Sequence, residues 1–246
     1  MTPELLVVLP FLFLGAAFYS SVGHGGATVY LAILALAGFA LDPLITSVLV
    51  LNLLVAGVAF VVFRQAGHLR WGLLLPFVVT GVPFAYLGGR MILADDVRGW
   101  LLGGALALAA LRLFLVSRPL PERVMSVRAR WVFAPAIGAG LGFLAGAVGI
   151  GGGIFLSPVL VLFGWADVKQ AGAVASGYIA LNSLAGLAAR LPRTPLDPTF
   201  LATVAVVVVA GAAAGAFLGA ARVPKRTLNV VLGAVLVVAA VKTFLA

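Results

Sequence analysis

Apolar residues run along this chain in long unbroken blocks, and the polar residues are gathered into the gaps between them. Ten blocks can be drawn: about 3–22, 27–40, 43–65, 70–93 and 97–116, then about 131–149, 153–165, 168–190, 198–221 and 226–245. Stretches such as 5–18 and 204–217 are continuously apolar and lack the in–out alternation of a barrel strand, so the pattern predicts helices. The second block of each half is short. A helix over 27–40 rises about 21 Å, against a hydrocarbon core of about 30 Å. Such a block is a half-helix, one arm of a re-entrant hairpin, or a short span in thinned bilayer.

The two halves repeat one another. Residues 20–34 read S-S-V-G-H-G-G-A-T-V-Y-L-A-I-L, and residues 146–160 read G-A-V-G-I-G-G-G-I-F-L-S-P-V-L. Gly23, Gly25 and Gly26 match Gly149, Gly151 and Gly152 at an offset of 126 residues. Further on, Leu51-Asn52 matches Leu181-Asn182, and Gly81 matches Gly211, both at an offset of 130. Apolar residues would match by chance. The ordered agreement of rare Asn, Gly clusters and a basic residue near each end points to duplication. Five segments per half, or three spans plus a re-entrant hairpin, are both odd numbers, so the second half enters the membrane upside down. The expected architecture is all-α, with inverted repeats over 1–116 and 131–246 joined by a linker over 117–130.

Composition fixes the environment. The chain is 63% hydrophobic and 9% charged, with a mean hydropathy of +1.22, whereas soluble domains carry about 25% charged residues. There is too little polar surface for a water-exposed globule, so the chain is an integral membrane protein. The N-terminus has Glu4 and no early Lys or Arg, and reads as a membrane segment rather than a cleavable signal. The absence of cysteine excludes disulfides, thiol catalysis and thiolate metal sites. The net charge of +9 comes from short loops, where it sets topology and does not indicate nucleic acid. With five segments per half, eleven of the sixteen basic residues fall on one side. The positive-inside rule then places the 117–130 linker in the cytoplasm and both termini outside it.

The candidate chemistry lies at the repeated glycines. A helix that starts after such a cluster leaves its first N–H groups free and its positive dipole end exposed. Lipid offers those groups no partner, and an anion does. Duplicated V-G-x-G-G breaks between segments mark a binding site more readily than close helix packing, since transporters build sites at discontinuous helices. Gly23, Gly25, Gly26, Gly149, Gly151, Gly152 and Gly153 are the backbone candidates, expected to face one another near the midplane. His24 stands inside the first cluster, where Ile150 replaces it in the second. It can donate to an anion, titrate, or simply rest on a carbonyl. Asn52 and Asn182 sit mid-segment in equivalent places, either as substrate ligands or as interhelical glue. Ser21 and Tyr178 complete the candidate set, with Ser20, Ser176 and Ser183 as supporting hydroxyls. Asp42 and Asp167 open the third segment of each half and read as helix N-caps. No intramembrane carboxylate is evident. One His with no acid beside it offers neither a catalytic set nor a metal site, and no cofactor is implied.

At these residues the chain resembles the TauE/SafE family of sulfite and organosulfonate exporters. The likeness rests on S-V-G-H-G-G-A-T-V-Y-L, on V-G-I-G-G-G-I-F-L-S-P, and on Asn182 within A-S-G-Y-I-A-L-N-S. It covers essentially the whole chain. The resemblance implies a bacterial or archaeal inner-membrane carrier of small sulfur-containing anions such as sulfite or C2–C3 sulfonates. The expected partners are that anion and the lipid bilayer, and the oligomeric state is left open, a homodimer included. The expected action is alternating access around an anion held at the helix starts. An inside-negative potential drives anion export by itself, at about 2.3 kcal/mol per charge per 100 mV, so no coupling carboxylate is needed. Competing readings are an anion or small-solute channel and an accessory membrane subunit. Valine at Gly25 or Gly152 is expected to abolish transport with the fold retained.

Overall fold

The computed structural model describes residues 3–39, 42–91, 126–193 and 195–224, together with 226, 227, 230, 234 and 237. The expected segment 97–116, most of 226–245 and most of the 117–130 linker lie outside the described residues. The described elements are α1 (Pro3–Ser20), α2 (Ala27–Leu36), a 3-10 turn (Asp42–Leu44), α3 (Ile45–Gln65), α4 (Trp71–Arg90), α5 (Val127–Val148), α6 (Gly153–Leu162), α7 (Val168–Arg190) and α8 (Pro198–Phe217). A π-helical turn over Leu218–Arg222 prolongs α8.

The helices α3, α4, α5, α7 and α8 with its π turn are long and apolar enough to cross a membrane. The protein is an all-α polytopic membrane protein. Its outer surface carries large apolar side chains such as Val7, Phe11, Val132 and Val206, the last 73% exposed. In water such a surface would drive aggregation, and in hydrocarbon it carries no penalty. Asp167 caps α7 as expected, its Oδ1 accepting the N–H groups of Lys169 and Gln170 at 2.8 and 3.1 Å. At α3 the expectation for Asp42 is not met. The 3-10 turn intervenes, and the N-cap position is Leu44, with no side-chain bond.

Small residues set the directions of the helices. Gly138, Gly142 and Gly146 of α5 lie on the backbone of Phe77, Gly81 and Ala85 of α4, in the same order, so α4 and α5 run parallel. Gly211, Gly215 and Gly219 lie in the same way on Phe13, Ala17 and Ser21, so α1 and α8 also run parallel. The central pair is antiparallel: Asn52 of α3 meets Ser183 of α7, Phe60 meets Gly177, and Phe63 meets Gly172. Moving along the chain by the 130-residue offset turns the α4–α5 pair into the α8–α1 pair and maps the α3–α7 pair onto itself, near Asn52 and Asn182. Backbone approach this close is available only to residues without bulk. Valine at Gly146 would drive its Cβ into the Ala85 carbonyl oxygen, whereas a Cβ at Gly140 meets nothing within 4 Å. Gly146→Val should therefore cost about 1–3 kcal/mol or more, as overpacked cores do. Gly140→Val should unfold at the wild-type temperature when both are heated in detergent.

The two short segments return rather than span. Val29 and Ile33 of α2 pack back on Gly15 of α1, and Glu4 shares a surface cleft with Ala37 and Phe39 just beyond α2. The second hairpin does the same from the other side. Trp165, just beyond α6, takes a bond from Arg70, at the end where Arg130 of α5 bonds to Gly72. That end also gathers Arg64, His68, Lys169 and the Ala220 carbonyl. The opposite end holds Arg90, Arg190 and Arg193, with Arg193 bonded to the Arg90 carbonyl. The described basic residues thus divide between the ends as the sequence reading divides them.

Candidate functional site

Each hairpin changes direction at its glycine cluster. The α5 helix ends on Gly149 in the left-handed conformation, φ 82°, with the N–H groups of Gly149 and Ile150 both returning to the Ala145 carbonyl. Gly152, also left-handed at φ 72°, then opens α6. At the first break Gly23 is left-handed, but Gly25 and Gly26 are not. These two are glycine because of what they touch. A Cβ at Gly25 would collide with the Asn52 amide, and one at Gly26 with the Tyr30 ring and hydroxyl. Side chains on a helix lean toward its N-terminus, so Tyr30 lies back over the first turn of α2, and Gly26 is the space it fills.

Asn52 is the hub. It is 1% exposed, and its Oδ1 accepts the N–H groups of Gly26 and Ala27 at 2.8 and 2.9 Å. Its Nδ2 donates to Ser183 Oγ at 2.8 Å. Two free donors at the start of α2 are thereby satisfied inside the protein. From the other side, Gly151 packs on the same amide and on Ser183; a Cβ there would lie 2.5 Å from Asn52 Nδ2 and 2.6 Å from Ser183 Oγ. The inner glycines Gly25, Gly26 and Gly151 therefore meet on one carboxamide.

The other candidates separate from this point. Gly23 packs on the backbone of Gly172 toward the Arg70 end, and Gly149 lies near Ile45 and the Arg190 guanidinium at the opposite end. The two clusters face each other only through their inner residues, because each loop runs inward from its own side of the membrane. Arg190 closes α5, donating to the Gly146 and Ala147 carbonyls at 3.1 and 3.0 Å. Gly152 packs against Ala145 and has the Tyr178 ring 3.6 Å from its Cβ position, and Gly153 packs against Ile179. Ser21 donates to Phe18 of its own helix at 2.7 Å and lies beside Gly219, away from the hub. Ser20 and Ser176 are likewise bonded to carbonyls.

Asn52 and Asn182 do not bond to one another, and they differ sharply. Asn182 is 2% exposed, and neither atom of its amide makes a hydrogen bond. The Tyr178 hydroxyl one turn earlier is near enough to act on it, but donates to the Gly138 carbonyl at 2.7 Å. Leu53 stands where exact symmetry would supply a second Ser183.

His24, 1% exposed, bonds through Nε2 to Ser157 Oγ at 2.9 Å. The first break is thereby tied to α6 of the second hairpin. Ser157 is the site residue the sequence reading missed. Its one signal is that it is polar where the repeat has Leu31. Among the described residues no group of three or more His, Asp or Glu side chains is placed to hold a metal.

Against this geometry stand the comparisons with known proteins. The family model described as Sulfite exporter TauE/SafE matches residues 8–243. The chain is 31% identical over 232 residues to a protein of Sinorhizobium fredii described as "Probable membrane transporter protein y4hK", with 94% of each chain covered. No solved structure matches. A family match over nearly the full length, on a fold of membrane-crossing helices, places the assignment beyond the glycine motifs alone: the chain belongs to the TauE/SafE family of membrane transporters.

Proposed function

We propose that this transporter carries small sulfur-containing oxyanions, such as sulfite or short organosulfonates, outward across a cell (inner) membrane by alternating access. The observation that carries the reading is the bonding of Asn52. A carboxamide oxygen occupies the N-terminus of a short helix buried within the membrane-crossing bundle, and takes two N–H groups there. An oxyanion offers the same kind of acceptor with a full charge, and the helix dipole favours it over the neutral amide. Substrate binding on this account displaces the Asn52 oxygen from Gly26 and Ala27.

The same reading takes the chain as two inverted repeats, 1–116 and 131–246, around a cytoplasmic linker over 117–130, with both termini outside. The antiparallel α3–α7 pair and the exchange of the α4–α5 and α8–α1 pairs support it. Inverted repeats in unequal conformations give a transporter its two states. Here Asn52 caps α2 while Asn182 is unbonded. In the opposite state the repeats exchange roles, and Asn182 takes the start of α6. The packing of the inner glycines on Asn52 favours a carrier over a channel, which would need a continuous path.

The test is counterflow of radiolabelled sulfite into liposomes holding the purified protein, with sulfoacetate, thiosulfate, sulfate and chloride as competitors. Saturable exchange, best competed by a sulfur oxyanion, is the expected result. Non-saturating flux would replace the carrier with a channel. No flux by folded protein, for any of these anions, would overturn the substrate class.

A further inference from the structure

Resting on the reading above, we infer that the anion site is one-sided. It belongs to the first break alone, and the Tyr19 and Tyr30 hydroxyls are its specificity-determining donors.

The argument starts from polar atoms that have nothing to bond. Tyr30 is fully buried and Tyr19 is 3% exposed, and neither hydroxyl has a hydrogen-bond partner. A buried hydroxyl left unbonded costs free energy, and native proteins keep few of them. These two are neighbours, close enough for Tyr19 to act electrostatically on Tyr30. The Tyr30 hydroxyl sits over Gly26, at the start of α2. The Tyr19 ring lies 6.4 Å from the His24 ring, centroid to centroid. His24 Nδ1 is also buried and unbonded. It carries a proton when Ser157 donates to Nε2. Three unbonded polar atoms therefore belong to the first break, with the Tyr30 hydroxyl over Gly26, one of the two residues whose N–H groups Asn52 now occupies.

The second break lacks these three side chains. Its counterparts at the 126-residue offset are Ala145 for Tyr19, Ile150 for His24 and Leu156 for Tyr30. Its one polar addition, Ser157, points to His24 across the repeat. The glycine positions are duplicated, but the tyrosine and histidine donors are not. Every donor here is neutral and short of acceptors, which suits a compact oxyanion with several oxygens. The net positive contribution is only that of a helix end, so a singly charged form fits best.

The experiment measures the rise in unfolding temperature of the detergent-purified protein on adding sulfite, with counterflow alongside. A ligand at free concentration L that binds only the folded state stabilises it by RT ln(1 + L/Kd), so the shift reports affinity without transport. Tyr19→Phe and Tyr30→Phe should unfold at or above the wild-type temperature without ligand, because each removes an unbonded hydroxyl. Each should weaken sulfite by about 10- to 100-fold, the range for one hydrogen bond to a charged group. Leu156→Met, at the matching place in the second break, should bind sulfite within about twofold of wild type, as a volume-conserving swap permits. Wild-type sulfite affinity in both Phe variants would overturn the inference and leave the transport reading intact. So would a fall in ligand-free stability, which would mean that the hydroxyls already have partners. A Leu156→Met variant as weak as the Phe variants would overturn the one-sidedness. A wild-type protein that neither shifts with nor exchanges sulfite, sulfoacetate or thiosulfate would overturn both readings together.

Discussion

Gly25→Val is expected to reduce sulfite counterflow to the background of empty liposomes while the protein stays folded. The position has no positive φ, so its backbone accepts a side chain. What stands in the way is the Asn52 amide. That amide is the end of a flexible side chain and can turn aside, but only by giving up its bonds to Gly26 and Ala27. The valine then fills the place where a substrate oxygen would meet those N–H groups. Affinity is lost by exclusion rather than by unfolding. The measurement is counterflow beside size-exclusion elution and unfolding temperature. Normal counterflow by Gly25→Val would remove the α2 start from the site. Gly152→Val is a different case from the one the sequence leads to expect. Gly152 is left-handed, and its Cβ would lie 2.5 Å from that of Ala145. A β-branched residue there is a backbone outlier as well as a steric one. Its loss of transport should come with a loss of stability, so Gly25 is the diagnostic position.

Asn52→Ala and Asn182→Ala should separate stability from transport. Asn52→Ala orphans two N–H groups and one hydroxyl in the protein interior. Buried groups left unbonded cost about 1–3 kcal/mol each in soluble proteins. Interhelical bonds in membranes are worth nearer 0.6 kcal/mol on average, so a total of about 1–3 kcal/mol is expected. Asn182→Ala removes an amide that bonds to nothing in this conformation. Its stability should be unchanged or raised, because a buried amide without partners is itself a cost. Both variants should lose counterflow if the two repeats exchange roles during the cycle. Unfolding in denaturant and counterflow on the same preparations would check this. Full transport by Asn182→Ala would show that the second asparagine takes no part in the cycle.

The fold was largely legible in the sequence because hydrophobic thickness and helix rise leave few choices. The segment expected at about 168–190 is the helix Val168–Arg190, since Asp167 caps its start and Arg190 marks its end. The breaks at 21–26 and 149–152 were equally plain, because paired glycines can do little else inside an apolar run. The family followed from the same motifs, and both comparisons agree with it.

The site was legible in its materials but not in its wiring. Sequence singled out His24, Asn52, Asn182 and the glycines. It treated all seven backbone glycines as alike and the two asparagines as a pair. Composition cannot tell Gly23, which lets α7 approach, from Gly25, which makes room for the Asn52 amide. Both are simply small. Tyr19 and Tyr30 look like ordinary aromatic core residues until their hydroxyls are found without partners.

What the sequence determined by itself is local and periodic: where helices run, where they break, that the chain lies in a membrane, and which glycine and asparagine motifs recur. These follow from interactions within a few residues, and from lipid acting on every residue in the same way. What only the tertiary structure decided is which partners meet across more than a hundred residues. Asn52 bonds to Ser183 and not to Asn182, His24 to Ser157, and the short segments fold back instead of crossing. Those outcomes depend on how helices rotate and slide against one another. The rotation of α3 is set by its packing on α7, with Phe60 on Gly177 and Phe63 on Gly172, and a shift of one residue would turn Asn52 away from Gly26.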